Sequence, residues 1–416
     1  MSDSARSDLE AARPLFAALA IAMLGHGLLG TVVGIRAELE QFPTAITGLV
    51  MSSYYIGFLV GCGVAPRLLR QRGHVRVFLV LSLVSAVVAI AYPIYTTPAL
   101  WGVFRFVTGA GTAGVYVVCE SWLAGAGHPR TRGRLLAVYL LVVNSGYGLG
   151  QLLLGAGSPD SFVLFGVAAA LIALAAVPLI AVKPEGPPKT NLARLRIPEL
   201  VKTAPLGVAT SFVTGIGVGG ILGFGAVYGT GVGMSVERVG LLVGAAMAGG
   251  IVLQWPIGAL SDRINRRHVI IGASLLAGAF AIAASYLEPL SNLTLACMFG
   301  FTAFSFPLYS LAISHVNDAL HPEKVIPASA ALLGIYGVGT LIGPIGTSLV
   351  MEGVGPPGFW LLAGTAHVAL GLYGFYRLVK RRRLMEGHHL PPIPINASPQ
   401  AALLIEDTAE MPSVQR

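Results

Sequence analysis

Charge is scarce in this chain. Only 11% of the 416 residues are charged, whereas 55% are hydrophobic and 53 are glycine. A soluble domain carries about 25% charged residues, so an ordinary soluble fold is excluded. The net charge of +8 does not indicate a nucleic-acid partner, because the basic residues lie in short segments between apolar runs and form no continuous face. The composition predicts a polytopic membrane protein surrounded by lipid.

The chain is also poor in the residues of common catalytic sites. Its three cysteines, Cys62, Cys119 and Cys297, lie within apolar segments, and an odd number gives no disulfide framework. No Gly-x4-Gly-Lys-Ser/Thr loop is present, so nothing indicates ATP use. No metal-ligand cluster or nucleophile–base pair emerges. We therefore expect neither an enzyme nor a bound cofactor or metal. No cleavage site follows the first apolar run, so we expect no removable signal peptide.

Twelve apolar runs are long enough to cross a bilayer, which takes about 20 residues. In lipid only helices and closed barrels satisfy the backbone, and these runs are longer than barrel strands. The sequence therefore predicts an all-α integral membrane fold with twelve transmembrane helices, numbered here as spans 1 to 12. The runs are approximately 14–35, 45–65, 75–95, 98–123, 134–156, 161–182, 204–227, 239–257, 268–287, 293–316, 326–350 and 357–379.

Basic residues fix the predicted orientation. All but three of the 27 Lys and Arg fall in the termini and in the loops that share their side of the membrane. The exceptions are Arg36 and Arg238 on the other side and Arg105 within span 4. Because cytoplasmic loops carry the excess of Lys and Arg, both termini are predicted to be cytoplasmic.

The connector between spans 6 and 7 divides the chain into two halves. It contains four prolines and five basic residues. We predict a polar N-terminal tail at 1–13, a six-helix bundle at 14–182, a cytoplasmic connector at 183–203, a pseudo-symmetric six-helix bundle at 204–379 and a disordered cytoplasmic tail at 380–416.

The loop between spans 8 and 9 reads Gly-Ala-Leu-Ser-Asp-Arg-Ile-Asn-Arg-Arg from Gly258 to Arg267. A positive-inside loop would explain Arg263, Arg266 and Arg267. It would not explain Asp262, whose charge opposes the dipole at a helix C-terminus and needs a positive partner. Nor would it explain Gly258, one turn earlier, which would let another helix approach closely. The pattern closely resembles the signature loop of the major facilitator superfamily.

That resemblance implies two six-span halves that rock around a site near the midplane. Span 11 carries Gly339, Gly343 and Pro344, which would bend it and give it a close-packing face. We expect the positive N-terminus of span 11 to be the partner of Asp262 and to seal the cytoplasmic side.

The loop between spans 2 and 3 keeps only part of the signature. Arg67, Arg70 and Arg72 preserve its basic character, but Pro66 replaces the expected acid. The acid is expected instead from Glu120 in the Glu-Ser-Trp ending of span 4, which would pair with one of these arginines as a latch. That ending resembles a poorly characterised bacterial branch often grouped with drug or metabolite exporters. The alternative is an interfacial glutamate that reaches water.

Two basic side chains inside spans are candidates for substrate binding or coupling. Arg105 begins a glycine-rich run that resembles the family's arginine-bearing motif of helix 4, and a charge inside a span is usually functional. It would anchor an anionic substrate or tune a proton site, or else cap the carbonyls of a neighbouring helix. His26 in span 1 is either a proton carrier or a neutral packing residue.

The remaining candidates are aromatic or weakly polar residues expected to line the cavity between the halves. They are Tyr54, Tyr55, Tyr116, Asn144, Tyr147, Gln151, Gln254, Trp255, Phe304, Tyr309 and Tyr336. Such a lining suits a small amphipathic solute. Span 5 has the glycines of the family's antiporter motif but lacks its proline.

The sequence thus predicts a monomeric secondary transporter in the bacterial cytoplasmic membrane. We expect proton-coupled export of a small amphipathic molecule by alternating access. The alternatives are import of a nutrient or metabolite and, less favoured, a membrane sensor that transports nothing.

Overall fold

A computed structural model describes residues 3–126, 132–180, 182, 197–318, 320 and 322–386. Within these ranges the chain is almost entirely helical, and twelve helical stretches are long and apolar enough to cross a membrane. The predicted number of spans is therefore confirmed. Most of the predicted connector and tail, 183–196 and 387–416, lies outside the described residues, so those two predictions stay untested.

The first six spans are built from eight helical segments. Spans 5 and 6 each consist of two pieces, because a 3-10 segment continues span 5 and a break divides span 6. In order, the segments are Asp3–Leu39, Thr44–Arg72, His74–Ala91, Pro98–Ala126, Arg132–Gly150, Gln151–Ala156, Val163–Leu174 and Val177–Ile180.

A short helix, Ile197–Thr203, precedes the last six spans. Spans 8 and 10 are interrupted near their middle, and each interruption comes directly before a proline-containing turn. The segments are Pro205–Gly231, Val236–Val252, Gln254–Arg263, Arg266–Ser285, Asn292–Ser305, Pro307–Asn317, Pro322–Val354 and Gly358–Glu386. Residues up to Gly374 form one compact unit, and the described part of the second unit, 375–386, is helical.

Glycines bring helix backbones together inside each half. A Cβ on Gly57 of span 2 would overlap the Phe106 carbonyl oxygen, and one on Gly109 of span 4 would overlap that of Tyr54. In the second half, Gly215 of span 7 and Gly339 of span 11 face each other in the same way. Small residues are what permits such close packing in lipid. The pairs 2/4 and 7/11 therefore form rigid units.

The two halves meet through spans 1 and 7, 2 and 11, and 5 and 8. We call the ends that carry the 2–3 and 8–9 loops the loop side, and the opposite ends the far side. On the far side Ser52 donates to the Leu341 carbonyl at 2.8 Å, and the Ala45 N–H donates to Glu352 Oε1 at 2.9 Å. Both bonds join span 2 of the first half to span 11 of the second. The halves are thus closed together at the far side.

This pairing corrects one expectation. Span 8, which leads into the signature loop, packs against span 5 across the interface, where Gly148 lies against the Met247 side chain. Span 11 packs instead against span 2. The partner predicted for Asp262, the N-terminus of span 11, is therefore wrong. Pseudo-symmetry explains the error, since span 8 is the counterpart of span 2, and span 5 is the counterpart of span 11.

Candidate functional site

Arg105 is the buried cation of the first half. Only 5% of its surface is exposed, and its guanidinium carbon lies 4.7 Å from the centre of the Tyr54 ring. The contact arises because Gly109 of span 4 packs on the Tyr54 backbone, which places the tyrosine beside the turn that carries Arg105. A cation over a tyrosine face is attracted by the ring's electron density.

The guanidinium of Arg105 has no other partner in the described part of the chain. Its buried Nε has no hydrogen-bond acceptor, and Arg105 enters no ion pair. Among the alternatives left open by the sequence, capping of a neighbouring helix's carbonyls is therefore not realised. The cation remains available to a ligand.

His26 lies beside this site, in the contact between spans 1 and 4. Its Nδ1 is 3.3 Å from the Thr112 hydroxyl, which also donates to the Thr108 carbonyl at 2.9 Å. Because that hydroxyl proton is already committed, the geometry favours Nδ1–H of a neutral imidazole as the donor to Thr112. Thr112 was not among the predicted site residues. Its signal in the sequence is its place in the glycine-rich run that follows Arg105.

Several predicted tyrosines gather around Arg105 and His26. Tyr54 makes edge contacts with Tyr55, whose hydroxyl reaches the Gly219 carbonyl of the second half at 3.5 Å. Tyr147 packs along span 1, where its hydroxyl fills the space beside Gly30. Tyr116 extends the group toward the loop side, through an edge contact with Phe58.

The second half contributes a smaller aromatic group. Tyr309 of span 10 and Tyr336 of span 11 lie with their ring centres 4.6 Å apart. Tyr336 interacts electrostatically with Tyr55, and Tyr309 with Glu120, so both belong to the interface between the halves. The structure therefore brings together the predicted aromatic residues of spans 2, 4, 5, 10 and 11.

Other predicted lining residues serve packing. Gln151 is buried, and all its polar atoms are used: it accepts from Thr31 at 2.6 Å and donates to the carbonyls of Gly27 and Tyr147 at 3.1 Å. Asn144 donates to the Leu140 carbonyl within its own helix. Phe304 stacks on Phe280 inside the second half.

Gln254 and Trp255 are exposed side chains, and their place in the cavity lining stays a prediction. Trp255 exposes 79% of its surface. Gln254 is exposed and donates to Ser310 at 3.1 Å, still within the second half. Both residues come directly after the break that follows Val252.

The predicted latch of the first half is not formed in this structure. Glu120 accepts a hydrogen bond from the Tyr139 hydroxyl at 3.0 Å, and it forms no ion pair within the described ranges. Arg67, Arg70 and Arg72 are exposed. The carboxylate also lies within electrostatic range of Tyr309 in the second half.

The signature loop forms a charge chain within the second half. Arg266 pairs with Asp262 at 3.2 Å and, more closely, with Asp318 at the end of span 10. Gly258 has open space around its Cα, so the close helix approach expected there is absent. Arg267 begins span 9, where its N–H is capped by the Asn265 side chain. Arg263 ends span 8.

The far side carries polar contacts that the sequence did not reveal. Arg36 pairs with Glu40 at 2.5 Å and also reaches the Asp160 carbonyl. Both side chains of this pair are mostly buried. Glu352 at the end of span 11 supplies the acceptor for the first turn of span 2, whose own preceding residue, Pro43, gives no side-chain cap.

Sequence comparisons place these features in a family. A model described as the Major Facilitator Superfamily matches residues 15–316 and 207–394. YcaD of Escherichia fergusonii, an uncharacterized MFS-type transporter, is 30% identical over 341 residues, covering 81% of this chain and 88% of that protein. An uncharacterized MFS-type transporter of Yersinia pestis (strain Pestoides F) is 30% identical over 365 residues, covering 86% of this chain and 93% of that protein.

Solved structures of similar fold have much lower sequence identity. The nucleoside transporter NupG superposes with a TM-score of 0.70 at 14% identity, covering 88% of this chain and 98% of that chain. A D-xylose-proton symporter superposes with a TM-score of 0.71 at 14% identity, covering 88% of this chain and 97% of that chain. The chain belongs to the Major Facilitator Superfamily.

Proposed function

We propose that this protein exports a small amphipathic molecule across the bacterial cytoplasmic membrane in exchange for protons, by alternating access. The observation that carries the proposal is the interface between the halves. It holds a buried cation and a group of tyrosines at mid-depth, and hydrogen bonds join the two halves at the far side.

The predicted orientation makes the loop side cytoplasmic, because it carries most of the arginines. In that orientation the hydrogen bonds that join the halves lie on the side away from the cytoplasm, as expected of the state that receives a molecule to be exported. Tyrosine rings offer apolar surface with a few hydroxyls, and such a lining favours an amphipathic solute over a sugar.

Proton coupling is assigned to His26. Imidazole is the side chain whose ordinary titration falls near physiological pH, and His26 lies next to Arg105 in the contact between spans 1 and 4. Binding and release of a proton on His26 would therefore change the charge directly beside Arg105. Import is the second candidate, since a neighbour in fold is a D-xylose-proton symporter.

Membrane vesicles test direction and coupling together. We expect inside-out vesicles containing the protein to accumulate substrate when their interior is acidified, and nigericin to abolish that accumulation. Vesicles without the protein are the control. Uptake that occurs only into right-side-out vesicles would establish import instead.

A variant of His26 tests the coupling residue separately. His26→Gln keeps a donor for Thr112 but cannot carry a proton. We expect it to retain downhill movement of substrate and to lose the response to the pH gradient. An unchanged response would remove His26 from the coupling mechanism.

A further inference from the structure

The charge of Arg105 is not balanced by the side chains around it. The titratable groups that interact with it electrostatically are His26 and four tyrosines, none of which is negative at neutral pH. These tyrosines are Tyr54, Tyr55, Tyr92 and Tyr147. Within the described ranges, the acidic residues of the spans lie at the span ends.

The nearest acid along the same helix is too far away to help. Glu120 follows Arg105 by fifteen residues, which corresponds to about 22 Å along a helix. Glu120 is also engaged by the Tyr139 hydroxyl. Direct pairing of Arg105 with this carboxylate is excluded by distance.

An uncompensated buried guanidinium is unfavourable, and arginine cannot escape by losing its proton. The contact with the Tyr54 ring offsets only part of the desolvation, because cation–π attraction is weaker than pairing with an anion. The buried Nε–H remains without an acceptor. The site therefore has a donor and a charge that await a negatively charged ligand.

We propose that the transported molecule is a small aromatic organic carboxylate whose carboxylate group pairs with Arg105. Its two oxygens accept from the guanidinium N–H groups, Nε–H included, in the forked geometry that arginine and carboxylates share. The aromatic body lies against Tyr54 and Tyr55 of the first half, with Tyr336 facing it from the second. This assignment rests on the proposed transport function and specifies its substrate class.

Matched ligand pairs test the charge requirement directly. The purified full-length protein is heated with aromatic carboxylates of one or two rings, such as phenylacetate, each compared with its neutral amide. We expect carboxylates to raise the melting temperature and to bind at least tenfold more tightly than their amides. Equal binding of acid and amide would overturn the proposal, as would equal stabilisation by chloride or inorganic phosphate.

Variants of Arg105 separate ligand binding from a structural role. Arg105→Gln removes the charge, and Arg105→Lys keeps it without the fork. We expect both to lose most of the preference for carboxylates. Because Arg105→Gln removes an unbalanced buried charge, we expect the ligand-free protein to melt no lower than the parent. A lowered melting temperature together with retained carboxylate preference would show that Arg105 is structural.

Arg238→Gln is the matched control, since Arg238 lies at the start of span 8 and is bound to Asn292, outside this site. It should keep the carboxylate preference.

The vesicle assay distinguishes the proposed substrate class from the proposed transport function. If amides or organic cations are transported as well as carboxylates, the substrate class is wrong and the transport function stands. If carboxylates bind through Arg105 but no solute moves, the transport function fails and the anion site stands.

Discussion

Gln151 tests whether a buried polar side chain in this protein serves helix packing or substrate binding. It lies between spans 1 and 5, accepts from the Thr31 hydroxyl and donates to the carbonyls of Gly27 and Tyr147. The sequence alone predicted a cavity-lining residue. The structure makes it a polar bridge between two helices of the same half, with both amide N–H groups already donated within that half.

The magnitude follows from the bonds that Gln151→Ala would remove. Two of the three join different spans, and interhelical side-chain hydrogen bonds in membranes are worth about 0.6 kcal/mol on average and up to about 1.7. The third bond, from Gln151 to the Tyr147 carbonyl, lies within span 5. The expected loss of stability is therefore about 1–3 kcal/mol. The substrate concentration at half-maximal transport should not change.

Two measurements decide the role of Gln151. Unfolding in a mixed-micelle denaturant series gives the loss of stability, and vesicle uptake gives the KM. Gln254→Ala is the control, because Gln254 is exposed and makes one bond to Ser310. A raised KM with unaltered stability for Gln151→Ala would refute the reasoning and restore Gln151 as a substrate ligand.

Three further predictions concern the two sides of the interface. Glu352→Ala removes the cap on span 2, a loss of about 0.5–2 kcal/mol. A cysteine placed at Thr44 should therefore react faster with maleimide in this variant than in Glu352→Gln, which keeps an acceptor. Equal rates would show that the bond from Ala45 to Glu352 does not hold the far side closed. Asp262→Asn should change stability by less than about 1 kcal/mol, because Asp262 is exposed and Arg266 keeps its pair with Asp318; a larger loss in a denaturant series would show that this pair is structural. Gly258→Leu should leave the melting temperature unchanged, because no atom lies within 4 Å of a Cβ added there. It should stop transport by blocking closure on the loop side. Gly272→Leu is the control, since it has similar open space on span 9 and should transport normally.

The parts of the fold that could be predicted are those set by local pattern. Twelve apolar runs and the signature loop required no knowledge of distant residues. Gln151 shows why the site could not be predicted equally well: a polar side chain facing inward looks the same in the sequence whether it binds substrate or a threonine 120 residues away.

The geometry also explains why the halves can move while each stays intact. Inside each half, glycines seat one helix backbone directly on another, as Gly57 does on Phe106 and Gly215 on Tyr336. Such contacts do not slide, because any added atom collides with a carbonyl. They hold the pairs 2/4 and 7/11 as rigid blocks.

Between the halves, by contrast, the hydrogen bonds seen among the described residues on the far side and at mid-depth are single bonds from separate side chains. Tyr55, Ser52 and Glu352 each contribute one. At the membrane values for such bonds, releasing all three costs about 2–5 kcal/mol, within reach of the few kcal/mol that separate populated conformers. A ligand that neutralises Arg105 contributes binding energy at the depth where Tyr55 crosses the interface. The buried cation is therefore placed where occupancy can bias which side opens.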